Sequence, residues 1–142
     1  MIHTYDLGKE DYEFVIYSVI KAMRDTGENI SVHNSFEMAR RNTTLISSTN
    51  GNNSGLIMYS EKKEFILCSL IYIENKYRNT NTVLEFYNKM VDISKNAKKD
   101  IVFVYHYKNK MLDNFSKRAS VFTLPLGYNI NYKQRILKIN QE

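Results

Sequence analysis

A single cysteine, Cys68, stands among the 142 residues, which excludes an internal disulfide framework. No apolar run reaches the about 18 residues that a membrane-spanning helix requires. The opening residues MIHTYDLGKEDY lack the apolar stretch of a secretion signal, so the chain is expected in the cytoplasm. Metal chemistry needs clustered ligands, and His3, His33 and His106 are dispersed, so no metal is expected. There is no repeat, linker or low-complexity tail, and residues 1–142 read as one domain. A compact nucleic-acid motif is also missing, and scattered tyrosines and lysines are a weak stacking platform, which argues against a nucleic-acid partner.

What is present is a folding composition: 43% hydrophobic and 13% aromatic residues suffice for one real core at this length. Charge is uneven. Residues 1–73 carry seven Lys/Arg against nine Asp/Glu, whereas residues 74–142 carry thirteen against six, so the second half is strongly basic. Such a surface attracts phosphates or an acidic protein partner. Abundant Asn, Lys, Ile and Tyr suggest an AT-rich coding genome, such as that of a low-GC bacterium or its phage. A phage origin would place the protein in the host cytoplasm or the virion.

Hydrophobic spacing predicts the elements in order. Residues 1–7 read as a strand and residues 9–24 as a helix with Val15, Val19, Ile20 and Met23 on one face, stopped by Gly27 and Asn29. A short helix is expected over residues 35–41, capped by Asn34 or Ser35. Residues 43–48 and 55–60 form a strand pair around the turn-rich STNGNNS. FILCSLIYI, residues 65–73, has the pattern of a strand buried on both faces. Val83, Phe86, Met90, Ile93 and Ala97 then recur at helical spacing, with Thr82 and Glu85 reading as a capping box. Residues 100–107 form a β-branched and aromatic strand, residues 109–119 a helix, and residues 128–133 and 134–139 a final strand pair.

Between the apolar strand and the following helix lies ENKYRNTNT, a short basic turn. A helix N-terminus offers unpaired N–H groups and the positive end of a dipole, and here it stands beside Lys76 and Arg78, so an anion is favoured there. The segment from Ile73 to Val83 resembles the pyrophosphate loop V-x-P-x-Y-R-G-x-G-x-G of the GNAT (GCN5-related N-acetyltransferase) superfamily. Ile73 stands for the Val, Asn75 for the Pro, and Tyr77 and Arg78 for the Tyr-Arg pair; Asn79 and Asn81 replace two glycines and Val83 the last small residue. Asn tolerates positive φ better than most residues, but Val does not. The order β-α-α-β-β-β-α-β-α-β-β is that family's order over nearly the whole chain. Near the end, Asn109, Leu112 and Val121-Phe122 resemble, with a one-residue slip, the family's N-x-x-A-x-x-x-Y-x-x-x-G-F segment.

The resemblance implies an α/β (α+β) domain, with a central mixed twisted sheet flanked by helices. It implies acyl-CoA-dependent transfer of an acetyl group to an amine on a small molecule or protein, with acetyl-CoA as cofactor. Tyr77, Arg78, Asn79, Thr80, Asn81, Thr82 and Val83 would hold the pyrophosphate, Ile71, Tyr72 and Ile73 would pair with the pantetheine arm, and Asn109 would touch that arm. Acyl transfer to an ammonium requires a base and an acid. Glu64 and His106 are the base candidates, while Phe115 and Ser116 stand where the family places its acid tyrosine; Tyr72, Tyr105 or Tyr107 could supply a phenol. Cys68 reads as an inert buried thiol. The eroded loop and missing tyrosine favour an alternative: a catalytically dead protein of this fold, acting as a binding or structural component of a phage particle or as an inhibitor of a host protein.

Overall fold

A computed structural model describes residues 2–4, 11–78, 81–106, 108–117, 123–125 and 132–137. Its elements are β1 (Ile2–Thr4), α1 (Tyr12–Asp25), α2 (Val32–Arg41), β2 (Thr43–Thr49), β3 (Asn52–Glu61), β4 (Phe65–Ile73), a 3₁₀ turn (Asn75–Tyr77), α3 (Thr82–Ala97), β5 (Asp100–His106), α4 (Lys110–Lys117), β6 (Thr123–Pro125) and β7 (Tyr132–Leu137). The described strands form one seven-stranded sheet in the order β1-β2-β3-β4-β5-β7-β6. Neighbours are antiparallel except β4 and β5, which run parallel. Parallel neighbours need a crossover, and α3 supplies it.

Each face of the sheet has its own core. Val15 and Val19 of α1 and Ala39 of α2 pack with Ile46, Leu56, Met58, Leu70 and Tyr72. On the other face Phe86 and Met90 of α3 and Leu112 and Phe115 of α4 pack with Ile57, Ile66, Ile71, Ile101 and Phe103. β4 supplies both cores, as its apolar run predicts. The alternation along it changes parity at Ser69, where pairing steps from Cys68 opposite Tyr59 to Leu70 opposite Met58. Ser69 is thus a bulge residue. Before it Ile66 and Cys68 face α3; after it Ile71 and Ile73 do, and Leu70 and Tyr72 turn to α1.

Several expected boundaries move. α2 starts at Val32, because Ser31 caps it by accepting from the Asn34 N–H at 3.0 Å; Asn34 and Ser35 lie inside the helix. The β2–β3 loop is tighter than STNGNNS suggests. Asn50 and Gly51, at φ of 53° and 81°, make the turn, and the strands extend to Thr49 and Asn52. Gly27, at φ 81°, ends α1 in a Schellman arrangement, with the Gly27 and Glu28 N–H groups bonded to Arg24 O and Met23 O. The start of α3 lies one residue earlier than a Thr82 cap would place it: Thr82 is its first residue, and Asn81 holds the cap position without a side-chain cap bond. The C-terminal pair is β6 with β7, so the expected break between residues 133 and 134 falls inside one continuous strand. Pro125 lies in edge strand β6, the position in a sheet where proline is best tolerated. The first strand and helix are described as Ile2–Thr4 and Tyr12–Asp25, and residues 5–10 lie outside the description. Among the described residues no helix is long and apolar enough to cross a membrane.

Candidate active site

β4 and β5 pair from Phe65 opposite Asp100 to Cys68 opposite Phe103 and then part, while each strand runs on, to Ile73 and His106. β5 stays paired on its other side, through His106 with Tyr132 of β7. The bulge at Ser69 stands where the strands separate. Two further features set the shape of the gap. Gly55 of β3 lies opposite Ile73 so closely that a Cβ there would meet the Tyr72 carbonyl oxygen at 2.7 Å, which only glycine permits. On the other side α4 is anchored to β5 by Tyr105, whose buried hydroxyl donates to Asp113 Oδ1 at 2.7 Å.

The gap opens into a cleft of about 340 Å³. Ile71 and Ile73 line one side, Arg78 and Val83 the mouth, and Lys110, Met111, Asn114 and Phe115 the α4 side. Arg78 and Lys110 bring two cations to one cavity, next to the N-terminus of α3. Arg78 is positioned by its Nε–H, which donates to Ile73 O at 2.9 Å, with its guanidinium 6.0 Å from the Tyr72 ring. The Ile73 N–H meets Met111 Sδ at 3.3 Å. Strand geometry turns the N–H of Ile71 to the same side as that of Ile73. These are the donors an extended amide chain would use to add to β4.

The structure gathers part of the expected site and disperses the rest. Ile71, Ile73, Arg78 and Val83 line the cleft together. Val83 is half-buried, packing against the α3-side core while bordering the cavity. Tyr77 is half-buried against the same core, under Lys76, whose Nζ is 5.1 Å from its ring centroid. Asn81 and Thr82 begin α3; Asn79 and Thr80 lie outside the described residues. Tyr72 sends its side chain to the α1 face, where it is 1% exposed, hydrogen-bonds Tyr17 and meets that ring at 6.1 Å; burial pushes its phenol pKa up. Asn109 caps α4, its Oδ1 accepting from the Leu112 N–H at 3.0 Å, and does not line the cavity.

The two base candidates are far apart. Glu64 is exposed in the turn before β4, at the closed end of the strand pair, roughly 23 Å along the strand from Ile71 at about 3.3 Å per residue. It corrects to a surface residue remote from the cleft. His106 ends β5 at the open end, on the face opposite buried Tyr105, with Nδ1 accepting from the Lys108 N–H at 3.2 Å. Burial pushes the Cys68 thiol up to about 12, as expected of an inert core residue. Tyr107, Ala119, Val121 and Phe122 lie outside the described residues. Among the described residues no group of three His, Cys, Asp or Glu could hold a metal. Phe115 was singled out in the sequence, but Lys110, Met111 and Asn114 went unread as cleft residues, although Lys110 at a helix start, against the dipole, is a signal that could have marked the segment.

No family model and no curated protein sequence matches the chain. Solved structures do. A GNAT-family acetyltransferase from Staphylococcus aureus Mu50 superposes with a TM-score of 0.74 at 12% identity, covering 97% of this chain and 100% of that one. Ard1 from Thermoplasma volcanium gives 0.73 at 13% identity over 99% of both chains. A GNAT-family acetyltransferase from Elizabethkingia anophelis, solved with acetyl-CoA bound, gives 0.71 at 11% identity, covering 98% of this chain and 97% of that one. With the parallel pair at its centre, two helices on each face and near-complete coverage by these structures, the chain has the fold of the GNAT acetyltransferases.

Proposed function

We propose that the protein is an acyl-CoA-dependent N-acyltransferase that moves an acetyl group to an amine. The observation that carries this reading is the β4–β5 gap with Arg78 and Lys110 on its cavity wall. One end of such a cavity suits a pyrophosphate; the other offers strand donors to an amide-bearing arm. Arg78, Lys110 and the first residues of α3 would hold the anion, and the Ile71 and Ile73 N–H groups would orient the arm. Acetyl-CoA, when bound, supplies the activated acyl group. An acetyl-CoA-bound structure of the same fold supports the choice of cofactor.

The chain's own chemistry is proton handling at the open end. We assign the base to His106 rather than Glu64, because only His106 lies beside the gap. Its Nδ1 must exchange the Lys108 bond for the ammonium proton of the acceptor. The basic second half would draw in acidic partners or substrates.

A second reading is favoured by specific observations: His106 Nδ1 is engaged, Phe115 stands where an acid tyrosine was expected, and Val83 narrows the mouth. In that reading the fold persists as a binding or structural component without turnover. Calorimetric titration with acetyl-CoA, followed by assay of acetyl transfer to a panel of primary amines, separates the two. Binding with turnover supports the enzyme, and binding without turnover supports the second reading. No heat at millimolar ligand overturns the cofactor for both.

A further inference from the structure

Met111 is packed against both hydrophobic cores, the one under α3 and α4 and the one under α1 and α2. The sheet separates those cores. Within its paired part no side chain can touch both, because strand neighbours about 4.8 Å apart leave no passage. Met111 reaches both at the place where β4 and β5 have parted, and there its Sδ accepts the Ile73 N–H at 3.3 Å. We propose that Met111 is a displaceable plug of the β4–β5 gap, filling in the free protein the lane that the amide-bearing arm of the bound cofactor takes, and so setting cofactor affinity. The inference rests on the cofactor reading above and adds to it the residue that must leave.

The chemistry suits displacement. A thioether is a weak acceptor, so an amide carbonyl exchanged onto the Ile73 N–H makes the stronger bond. Methionine is unbranched with three rotatable bonds, so the side chain can swing without moving the helix backbone. The helix itself is held in place by the Tyr105–Asp113 bond and by the Asn109 cap. The plug therefore moves on a fixed mount. Its cost appears as reduced affinity, since only the unplugged fraction is competent to bind.

Wild-type protein labelled with ¹³C at the methionine methyl groups tests this without any substitution. The chain has six methionines, and Met58 and Met90 are fully buried. On saturation with coenzyme A the Met111 resonance should show the largest shift of the six. In parallel, Met111→Ala should bind coenzyme A roughly five- to tenfold more tightly by calorimetry. An unmoved Met111 resonance at saturation overturns the plug and leaves the cofactor reading intact, as does equal or weaker binding by a folded Met111→Ala. Absence of binding by both proteins overturns the cofactor reading, and the plug with it.

Discussion

The two halves of the β4–β5 pair are built from one apolar strand and one aromatic strand, yet they behave differently. From Phe65 to Cys68 the strands are hydrogen-bonded, Ile66, Cys68, Ile101 and Phe103 join the α3-side core, and Lys99 ties the end shut, its Nζ donating to Glu61 Oε2 at 2.7 Å and to Lys62 O at 2.8 Å. From Leu70 to Ile73 β4 stays paired with β3 but has parted from β5, and on that side a methionine sulfur and an arginine guanidinium meet its backbone. Both halves bury their side chains; the difference lies in the backbone, whose groups face a strand in one half and polar, movable side chains in the other. A single bulge, at Ser69, marks where a core strand loses its parallel neighbour and comes to border a cleft.

The largest effect is expected in the closed half. Phe103 is 1% exposed and meets Phe115 edge-on at 6.0 Å, so Phe103→Ala should cost about 3–5 kcal/mol in urea unfolding. In the open half Arg78 is exposed, and Arg78→Ala should leave unfolding nearly unchanged while weakening acetyl-CoA binding by about 1–3 kcal/mol in calorimetry. A large stability loss there would break the contrast.

Gly55 lies against the open half, opposite Ile73. Gly55→Ala forces the backbone around Tyr72 and Ile73 to shift and should cost about 1–3 kcal/mol of stability, with a matching drop in acetyl-CoA affinity. Stability lost without affinity would show that the position of Ile73 is not critical for binding.

Helix starts offer a finer contrast. Ser31→Ala removes a real cap and should cost about 1 kcal/mol, whereas Asn81→Ala, with no cap bond to lose, should change thermal stability by only a few tenths of a kcal/mol. The smallest effect is pH-dependent. His3 Nε2 lies 2.9 Å from Asp11 Oδ2 and Asn53 donates to Oδ1 at 3.1 Å, and the His3 contact leads in holding the Asp11 carboxyl below its ordinary value. A carboxylate lowered in the fold stabilises it above its unfolded pKa of about 4 and ceases to do so as pH falls through the folded value. Asp11→Ala should therefore be slightly less stable than wild type at pH 7, and in acid melts the difference should begin to shrink below pH of about 4 and vanish once the pH lies below the folded value.

Much of the fold was legible because its signals are local. Phe65–Ile73 is long, apolar and bounded, and Val83, Phe86 and Met90 keep helical spacing, so the element order could be read directly. The candidate cleft was legible where its lining lies on that chain segment: Ile71, Ile73, Arg78 and Val83. It was not legible where distant segments meet. Because FILCSLIYI is apolar on both faces, the parity change at Ser69 leaves no trace in the pattern. Glu64 and His106 both flank strands of the central pair, and only the parallel register sets them at opposite ends. Met111 reads as an ordinary core position of a helix; its contact with both cores depends on the gap.

A ¹⁵N amide spectrum recorded during titration with acetyl-CoA would show whether the open half binds acyl-CoA and the closed half does not. Shifts should concentrate at Ile71, Ile73, Arg78, Thr82 and Val83, with residues 65–68 and 100–103 nearly unmoved. A spectrum unchanged at millimolar ligand, or one whose shifts fall on the closed half, would contradict this.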